Sequence, residues 1–310
     1  MRMFHVRHAM GSLAEGMVQF CAAIVHEVGM TLIHQKMIRA FIQGRYWRHP
    51  VRALRIFQAE TARKNRGYKQ AWEAVGKDAG WTFTMMNGSP DEATLQRTGG
   101  EMARRLVDAL ALEPTHHVLE LGCGVARVGR ELAPQVAAWH GADISSSILK
   151  IARRRTAHLP NVHFHELDRA TLPFGDDSFD RAYSHLVLFH MDKEDLFLYL
   201  REFARVLKPG GLVYFDTWNL LHPEGWARFM WELEHHRHKR VKPAHRNQFC
   251  TPDEVRLYVE KAGLVPLHIL DSSFWVQTIA AKPSPQMPTD ALKALPRNLD
   301  NLLPHGKWYY

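Results

Sequence analysis

Two kinds of hydrophobic pattern divide the chain near residue 117. Before that point, apolar residues recur three and four positions apart over residues 17–42 and 51–64, which is the spacing of one helix face. After it, short apolar runs alternate with stretches of helical spacing. Strands are predicted at 117–121, 136–143, 162–166, 179–184 and 211–217, and helices at 126–133, 146–157 and 193–206. This alternation predicts an α/β fold with a doubly wound, mostly parallel sheet.

The C-terminal part completes the predicted sheet. Thr251 followed by Pro252 and two acids is typical of a helix start, and we place this helix at 251–262. Strands near 265–270 and 274–280 then form a hairpin. The sheet accordingly has seven strands, of which the last is antiparallel, and a helical N-terminal arm precedes it.

Pattern and composition together divide the chain into three regions. Residues 1–66 are a basic helical arm, residues 67–281 carry the sheet, and residues 282–310 are a proline-punctuated tail. Within the central region, the insertion 220–248 is rich in tryptophan and histidine and is expected to cap a substrate. Residues 90–98 are predicted to be a linker and the entry to a helix, which we place at 101–112.

Positive charge is concentrated in the arm. Residues 1–69 hold 12 Lys and Arg against 3 Glu, a net charge of +9, whereas the 28 basic and 29 acidic residues of the remainder nearly cancel. A basic amphipathic helix can bind an anionic membrane or a protein partner, or can pack with its charged face in water. Nucleic acid is disfavoured as a partner, because the sheet region has no excess of positive charge.

The cysteines and histidines argue against a metal centre. Cys21, Cys123 and Cys250 are widely spaced without a CxxC motif, which disfavours disulfides and zinc and favours a reducing compartment. The cluster at 235–238 is expected to be a solvated helix face, because adjacent histidines on a helix point in different directions. No apolar run is long enough to span a bilayer. We therefore expect a cytoplasmic protein, with peripheral membrane attachment through the arm as an alternative.

The most informative stretch is His117–Gly129, an apolar run that ends in an acid, Glu120, and is followed by Gly122 and Gly124. Glycines at a strand-to-helix turn adopt positive φ and let a ligand approach the backbone. A dinucleotide fingerprint needs its third glycine where this chain has Arg127. The acid-x-Gly-x-Gly pattern instead resembles the first motif of the class I S-adenosylmethionine (SAM) dependent methyltransferases.

Two further segments resemble the same family. Leu172–Asp180 is similar to the loop before the fourth strand in the branch called type 11 methyltransferases, and Lys208–Gly211 is similar to the turn before the fifth strand. The resemblance covers about residues 95–221, with weaker support to residue 281. It implies a Rossmann-like fold, SAM as cofactor, and methyl transfer as the reaction.

The resemblance also implies a cofactor site at the strand ends. Asp143 would accept hydrogen bonds from the ribose hydroxyls, and Asp168 would accept one from the adenine amino group, beside the backbone amide of Arg169. Ile144 and Leu167 would sandwich the adenine. The implied cofactor-binding residues are Glu120, Gly122, Cys123, Gly124, Asp143, Ile144, Leu167, Asp168, Arg169 and Ser184.

Candidate catalytic residues follow the fourth strand. His185 and His190 lie where the acceptor is expected, and histidine can remove a proton near neutral pH. The Asn/Asp-Pro-Pro-aromatic motif of base methyltransferases is absent there, which weakens nucleic-acid bases as acceptors. The aromatic segment Tyr68–Gly88 looks like a lid over the cofactor, or alternatively like a hydrophobic staple between arm and core.

These features predict a methyltransferase that acts on oxygen or nitrogen of a small molecule. One alternative is an RNA- or protein-directed methyltransferase that docks through the basic arm. Another is a non-catalytic SAM-binding protein that acts at a membrane or with a partner.

Overall fold

The structure, a computed structural model, describes residues 66–239, 246–286 and 290–291. These residues belong to a compact unit that begins at Asn65. The helices predicted at 17–42 and 51–64 lie outside the described residues, as does most of the tail predicted from residue 282.

Three helices precede the sheet: α1 (Arg66–Val75), α2 (Ala79–Asn87) and α3 (Glu92–Ala109). Helix α3 begins where the Asp91 carboxylate accepts hydrogen bonds from the backbone N–H groups of Ala93 and Thr94, at 3.3 and 2.8 Å. The predicted linker over 90–98 was therefore wrong, because the Asp91 cap starts the helix there. Gly99 lies inside α3, at a point where a Cβ would come within 2.1 Å of a neighbouring carbonyl oxygen.

Strands and helices then alternate, as predicted. They are β1 (His117–Leu121), α4 (Gly129–Leu132), β2 (Ala138–Asp143), α5 (Ser146–Arg155), β3 (Val162–Glu166), β4 (Phe179–Ser184), α6 (Lys193–Val206), β5 (Leu207–Asn219), α7 (Pro223–His236), β6 (Phe249–Cys250), α8 (Pro252–Lys261), β7 (Val265–Leu270) and β8 (Trp275–Ala281). Short 3₁₀ turns cover Ala133–Gln135 and Leu188–His190.

The sheet order is β3-β2-β1-β4-β5-β8-β7, and β6 pairs with β5 as an eighth, two-residue strand. The pairs from β3 to β5 are parallel, whereas β8 is antiparallel to both β5 and β7. This confirms the predicted Rossmann-like α/β architecture with an antiparallel strand at the end of the chain. Because the central strands are parallel, their carboxyl ends share one edge of the sheet.

The two largest boundary differences within the alternating region have local reasons. The helix after the glycine loop starts at Gly129 instead of residue 126, because Ala126 has φ 56, outside the helical region. Strand β5 begins at Leu207 instead of residue 211, since Leu207 already pairs with Phe179 before the register shifts.

Hydrophobic residues cover both faces of the sheet. Successive residues of β5 illustrate this: Tyr214 packs with Trp139 and the α3 residue Leu106, whereas Phe215 packs with the α6 residue Phe203. Alternation along the strand sends neighbouring side chains to opposite faces. Because both faces are covered, the central strands are buried, and a ligand can reach them at their ends.

The insertion contains α7, and its buried face corrects one expectation. His236 is only 9% exposed, and its Nε2 lies 3.0 Å from a carboxylate oxygen of Glu232. The histidine pair is therefore not a wholly solvated face, because one side of α7 packs against the end of β5, where Gly225 meets the Asn219 carbonyl. In the described ranges, His, Cys, Asp and Glu side chains do not group as a metal ion would need. Nor is any described helix both long and apolar enough to cross a membrane.

Candidate active site

The glycine turn after β1 is bound to the end of β2 through one carboxylate. Gly122 and Gly124 have φ 71 and 52, a region that favours glycine. The backbone N–H of Gly124 donates to Asp143 Oδ2 at 2.9 Å, and that of Ser145 donates to Oδ1 at 2.9 Å. The Asp143 side chain therefore holds the turn against β2.

Asp143 is buried, and burial raises the pKa of its carboxyl while the backbone hydrogen bonds oppose this shift. Each carboxylate oxygen has two lone pairs. Both oxygens can therefore accept a hydroxyl hydrogen bond in addition to the backbone N–H groups. This capacity fits the ribose-binding role that the sequence predicts.

Glu120 is part of a buried hydrogen-bonded chain across three strands. Tyr183 Oη donates to Glu120 Oε2 at 2.6 Å, and Trp139 Nε1 donates to Tyr183 Oη at 3.0 Å. Burial raises the pKa of Glu120 to about 8, against the opposing effects of the Tyr183 hydrogen bond and of Arg127. A cationic group placed nearby would favour ionisation of this carboxyl.

A cavity opens at the carboxyl ends of these strands. It contains about 790 Å³ of space not filled by protein atoms, part of it open to solvent, which is within the range of ligand sites. Of the predicted cofactor residues, it is lined by Gly122, Asp143, Ile144, Leu167 and Arg169. The structure therefore brings these five residues together around one space.

A second cavity adjoins the first and contains the candidate catalytic groups. Glu120, Cys123 and His185 line it, and His190 lines both cavities. Burial raises the pKa of the Cys123 thiol, which keeps this group neutral. Gly124 lies at the same turn, against Met86 of α2.

Three predicted cofactor residues, Gly124, Asp168 and Ser184, are in neither cavity lining. Asp168 exposes 75% of its side chain, beside Arg169 at 3.3 Å. Ser184 is buried and donates to the Leu121 carbonyl at 3.1 Å, so it joins the ends of β4 and β1. Their cofactor roles stay predictions.

His185 is bound to a buried carboxylate at the end of β5. Its Nδ1 lies 2.5 Å from Asp216 Oδ2, and the backbone N–H of Leu186 donates to Oδ1 at 2.8 Å. Burial lowers the pKa of His185, against the opposing effect of Asp216. A neutral imidazole at a cavity wall is able to accept a proton.

The aromatic segment before α3 covers the cavities and also packs on the core. Tyr68 and Trp72 of α1 line the first cavity, and the Trp72 ring meets His190 edge-on at 5.3 Å. Glu73 of the same helix accepts the backbone N–H groups of Ser146 and Ser147 at the start of α5. One helix thus provides both cavity wall and core contact, and the staple between arm and core stays a prediction because the arm lies outside the described residues.

Sequence reasoning missed several partners of the site, among them Tyr183, Glu73 and the cavity-lining Arg127. Tyr183 pairs with Glu120 in the β1–β4 register, so strand alignment was the available signal. The bond from His185 to Asp216 joins β4 to β5, and residue spacing along either strand carries no sign of it.

The sheet order, the glycine turn after β1 and the acid at the end of β2 define a Rossmann-like fold with a cavity at the carboxyl edge of its sheet. Comparison with known proteins narrows this class. Residues 118–211 match a family described as a methyltransferase domain.

Two curated relatives match the same region. Methyltransferase GfsG of Streptomyces halstedii is 37% identical over 121 residues, which are 38% of this chain and 43% of that protein. A demethylmenaquinone methyltransferase of Corynebacterium kroppenstedtii is 34% identical over 154 residues, which are 50% of this chain and 61% of that protein. The chain therefore spans roughly half the length of these relatives. Residues 118–211 of the chain are therefore similar to a methyltransferase domain.

A solved structure supports the fold. The methyltransferase in complex with the Haloferax volcanii Trm112 methyltransferase activator superimposes with a TM-score of 0.51 over 70% of this chain and 99% of that chain, at 20% identity. At this identity the likeness concerns the fold alone.

Proposed function

We propose that this protein transfers a methyl group from SAM to an oxygen or nitrogen atom of a small-molecule acceptor. The observation that carries the proposal is the pair of adjoining cavities: one is lined by Gly122, Asp143 and Leu167, and the other by His185. The glycine turn leaves backbone open to a ligand, and Asp143 keeps acceptor capacity for hydroxyls. These residues fit the adenosine part of SAM.

When bound, SAM supplies a methyl group on a positively charged sulfur. The residues of the chain then have two tasks. The cavity walls hold donor and acceptor in line, a positioning effect that is worth roughly 7–11 kcal/mol in favourable cases. His185 accepts the proton that the acceptor loses as the new methyl bond forms and the carbon–sulfur bond breaks, with its electron pair remaining on sulfur.

The lining favours an acceptor with apolar surface. Trp72, Met85, Leu186 and Val187 line the second cavity, where His185 lies. The name of the Corynebacterium relative refers to a demethylmenaquinone, which is consistent with such an acceptor. We propose an aromatic or quinol-like compound with a hydroxyl or amino group.

The alternatives from the sequence rest on the basic arm, and residues 1–65 lie outside the described residues. Docking of the arm on RNA, a protein or an anionic membrane stays a prediction. The retained Gly122, Gly124 and Asp143 geometry argues against an idle pocket, and we therefore favour an enzyme.

Calorimetric titration of the full chain with SAM and with S-adenosylhomocysteine tests the cofactor assignment. We expect micromolar binding of both, and at least about tenfold weaker binding by Asp143→Ala, which loses charge-assisted hydrogen bonds to the ribose. Asp253→Ala removes an exposed carboxylate at the start of α8 and serves as the control. Unchanged affinity in Asp143→Ala would reject the site.

Release of S-adenosylhomocysteine with a panel of acceptors then tests the reaction. A catechol, a hydroquinone and a phenethylamine represent the proposed chemical classes. Turnover with any of them would support a small-molecule acceptor, whereas turnover restricted to total RNA or protein would contradict it.

A further inference from the structure

Four side chains from three neighbouring strands form a buried polar chain that ends at the second cavity. His185 follows β4, Asp216 and Tyr214 lie on β5, and Gln277 lies on β8. His185 Nδ1 contacts Asp216 Oδ2 at 2.5 Å, Tyr214 Oη contacts the same oxygen at 3.1 Å, and Gln277 Nε2 contacts Tyr214 Oη at 3.2 Å. Asp216, Tyr214 and Gln277 are almost completely buried.

The direction of these hydrogen bonds follows from the atoms involved. Gln277 Nε2 is a donor only, so Tyr214 Oη accepts from it and gives its own proton to Asp216. The backbone N–H of Leu186 also donates to Asp216. Asp216 is thus an acceptor on both oxygens, and this assigns the His185 proton to Nδ1.

The backbone beside His185 is held in an unusual conformation. Leu186 has φ 62, which a branched side chain rarely adopts. Such strain persists only where the surroundings impose it. The hydrogen bond from the Leu186 N–H to Asp216 is one of the contacts that impose this conformation. The same carboxylate therefore holds both the His185 ring and the backbone next to it.

We infer that Asp216 is a positioning residue, which together with Tyr214 and Gln277 holds His185 in the Nδ1–H tautomer so that Nε2 takes the proton of the methyl acceptor. This inference rests on the proposed function, in which His185 is the base. It adds residues of β5 and β8, far along the chain, to the machinery of the site. Asp216 also offsets the positive charge that His185 gains when it accepts the proton.

Three charged groups act on the pKa of His185 in opposite directions: the negative Asp216, and the positive Arg127 and Arg105. Burial and the two arginines lower the pKa of His185, and Asp216 raises it. Two variants should therefore shift the pKa in opposite directions. Asp216→Asn removes the opposing negative charge and should lower it by about one unit or more, whereas Tyr214→Phe removes a donor from the carboxylate and should raise it.

Nitrogen-15 NMR of the histidine-labelled full chain measures the tautomer and the pKa of His185 without any cofactor or acceptor. His185→Gln identifies the His185 signals, which should show the Nδ1–H tautomer in the unmodified protein. Thr217→Val is the matched control, since Thr217 is buried next to Asp216 but on the opposite face of β5. It should leave the His185 pKa and tautomer unchanged.

A His185 signal that keeps its tautomer and pKa in both Asp216→Asn and Tyr214→Phe would overturn the inference. If Asp216→Asn does not fold, the His185 pKa in Tyr214→Phe still tests the inference: a rise supports it, and an unchanged pKa overturns it. Turnover with the best acceptor of the panel should fall about tenfold or more in Asp216→Asn, with SAM affinity within threefold of the parent. Unchanged turnover in His185→Gln would instead reject the base and so the proposed function, independently of the NMR result.

Discussion

The two halves of the sheet stabilise their buried carboxylates in different ways. In the cofactor half, Asp143 accepts from backbone N–H groups of the two turns that flank it, at Gly124 and Ser145. In the half proposed to bind the acceptor, Asp216 of β5 accepts from the side chains of His185, which follows β4, and of Tyr214 on β5 itself, and from the backbone N–H of Leu186. The first arrangement depends on local loop geometry, and the second depends on the alignment of β4 with β5.

This difference has consequences for function. Backbone donors are present whatever the side chains are, so one loop geometry can bind the same cofactor in many proteins. A site made of side chains from several strands can change with each of them. We therefore expect substitutions in the two halves to have separable effects, on cofactor binding and folding in one and on turnover in the other.

The largest effect is expected in the acceptor half. His185→Gln should lower kcat by about 10²–10⁴-fold, the usual contribution of a general base, and should leave the SAM dissociation constant within about threefold. Steady-state kinetics with the best acceptor of the panel and calorimetry measure the two quantities. A parallel loss of SAM affinity would show that the two halves are not separable.

His190→Gln is the matched comparison. His190 lines both cavities and meets the Trp72 ring edge-on, whereas His185 Nδ1 contacts the Asp216 carboxylate. We expect a smaller loss of kcat than in His185→Gln. A larger loss of kcat in His190→Gln than in His185→Gln would indicate that His190 is the base.

The second effect concerns the stability of the cofactor half. Asp143→Ala leaves two buried backbone N–H groups without their acceptor and should lower the free energy of unfolding by about 2–4 kcal/mol. Asp143→Asn retains one acceptor oxygen and should lower the free energy of unfolding by a smaller amount. Urea unfolding of both variants beside Asp253→Ala measures this, and equal stability of all three would mean that the turn holds its shape without Asp143.

The same division explains what could be predicted from the sequence. The glycine turn, Asp143 and Leu167 follow from motifs that are local in the chain, and the structure places them around one cavity. The boundaries of β1, β3 and β4 were predicted to the residue.

The remainder depends on contacts that no local pattern records. The start of α3 was misplaced: the helix begins at Glu92, after the Asp91 cap, and two glycines that were placed before it lie in its middle. The buried side of α7 depends on packing against β5. The His185–Asp216 pair requires the alignment of β4 with β5, which includes a register shift near residue 180.

A third effect is a sensitivity to acid in the cofactor half. His140 of β2 lies on one sheet face among His117, His163 and His165, with its Nδ1 3.1 Å from Nε2 of His165. Burial and these neighbouring histidines lower the pKa of His140 from 6.5 to about 4. Between these two values the unfolded chain binds the additional proton, so stability should fall as the pH decreases from 6.5 towards 4.

Urea midpoints over this pH range measure the effect. Arg153 is a further cation that acts on the cluster, through His165. His140→Leu should flatten the pH dependence, whereas His158→Gln, at an exposed position outside the cluster, should not. A pH dependence that is the same in His140→Leu and the parent would assign the acid sensitivity to other groups.

The smallest effect is expected at Ala126, where the glycine loop continues with an alanine at φ 56. Ala126→Gly relieves a left-handed conformation that costs roughly 1–2 kcal/mol, but removes a buried methyl group worth about 0.8 kcal/mol and gives the unfolded chain more freedom, worth about 0.4–1 kcal/mol. These terms nearly cancel, so the free energy of unfolding should change by less than about 1 kcal/mol. Ala133→Gly is the matched control, because Ala133 is equally buried at φ −52 and gains no relief. Urea unfolding should show a clearly larger loss in Ala133→Gly; equal losses would mean that the backbone at Ala126 is not strained.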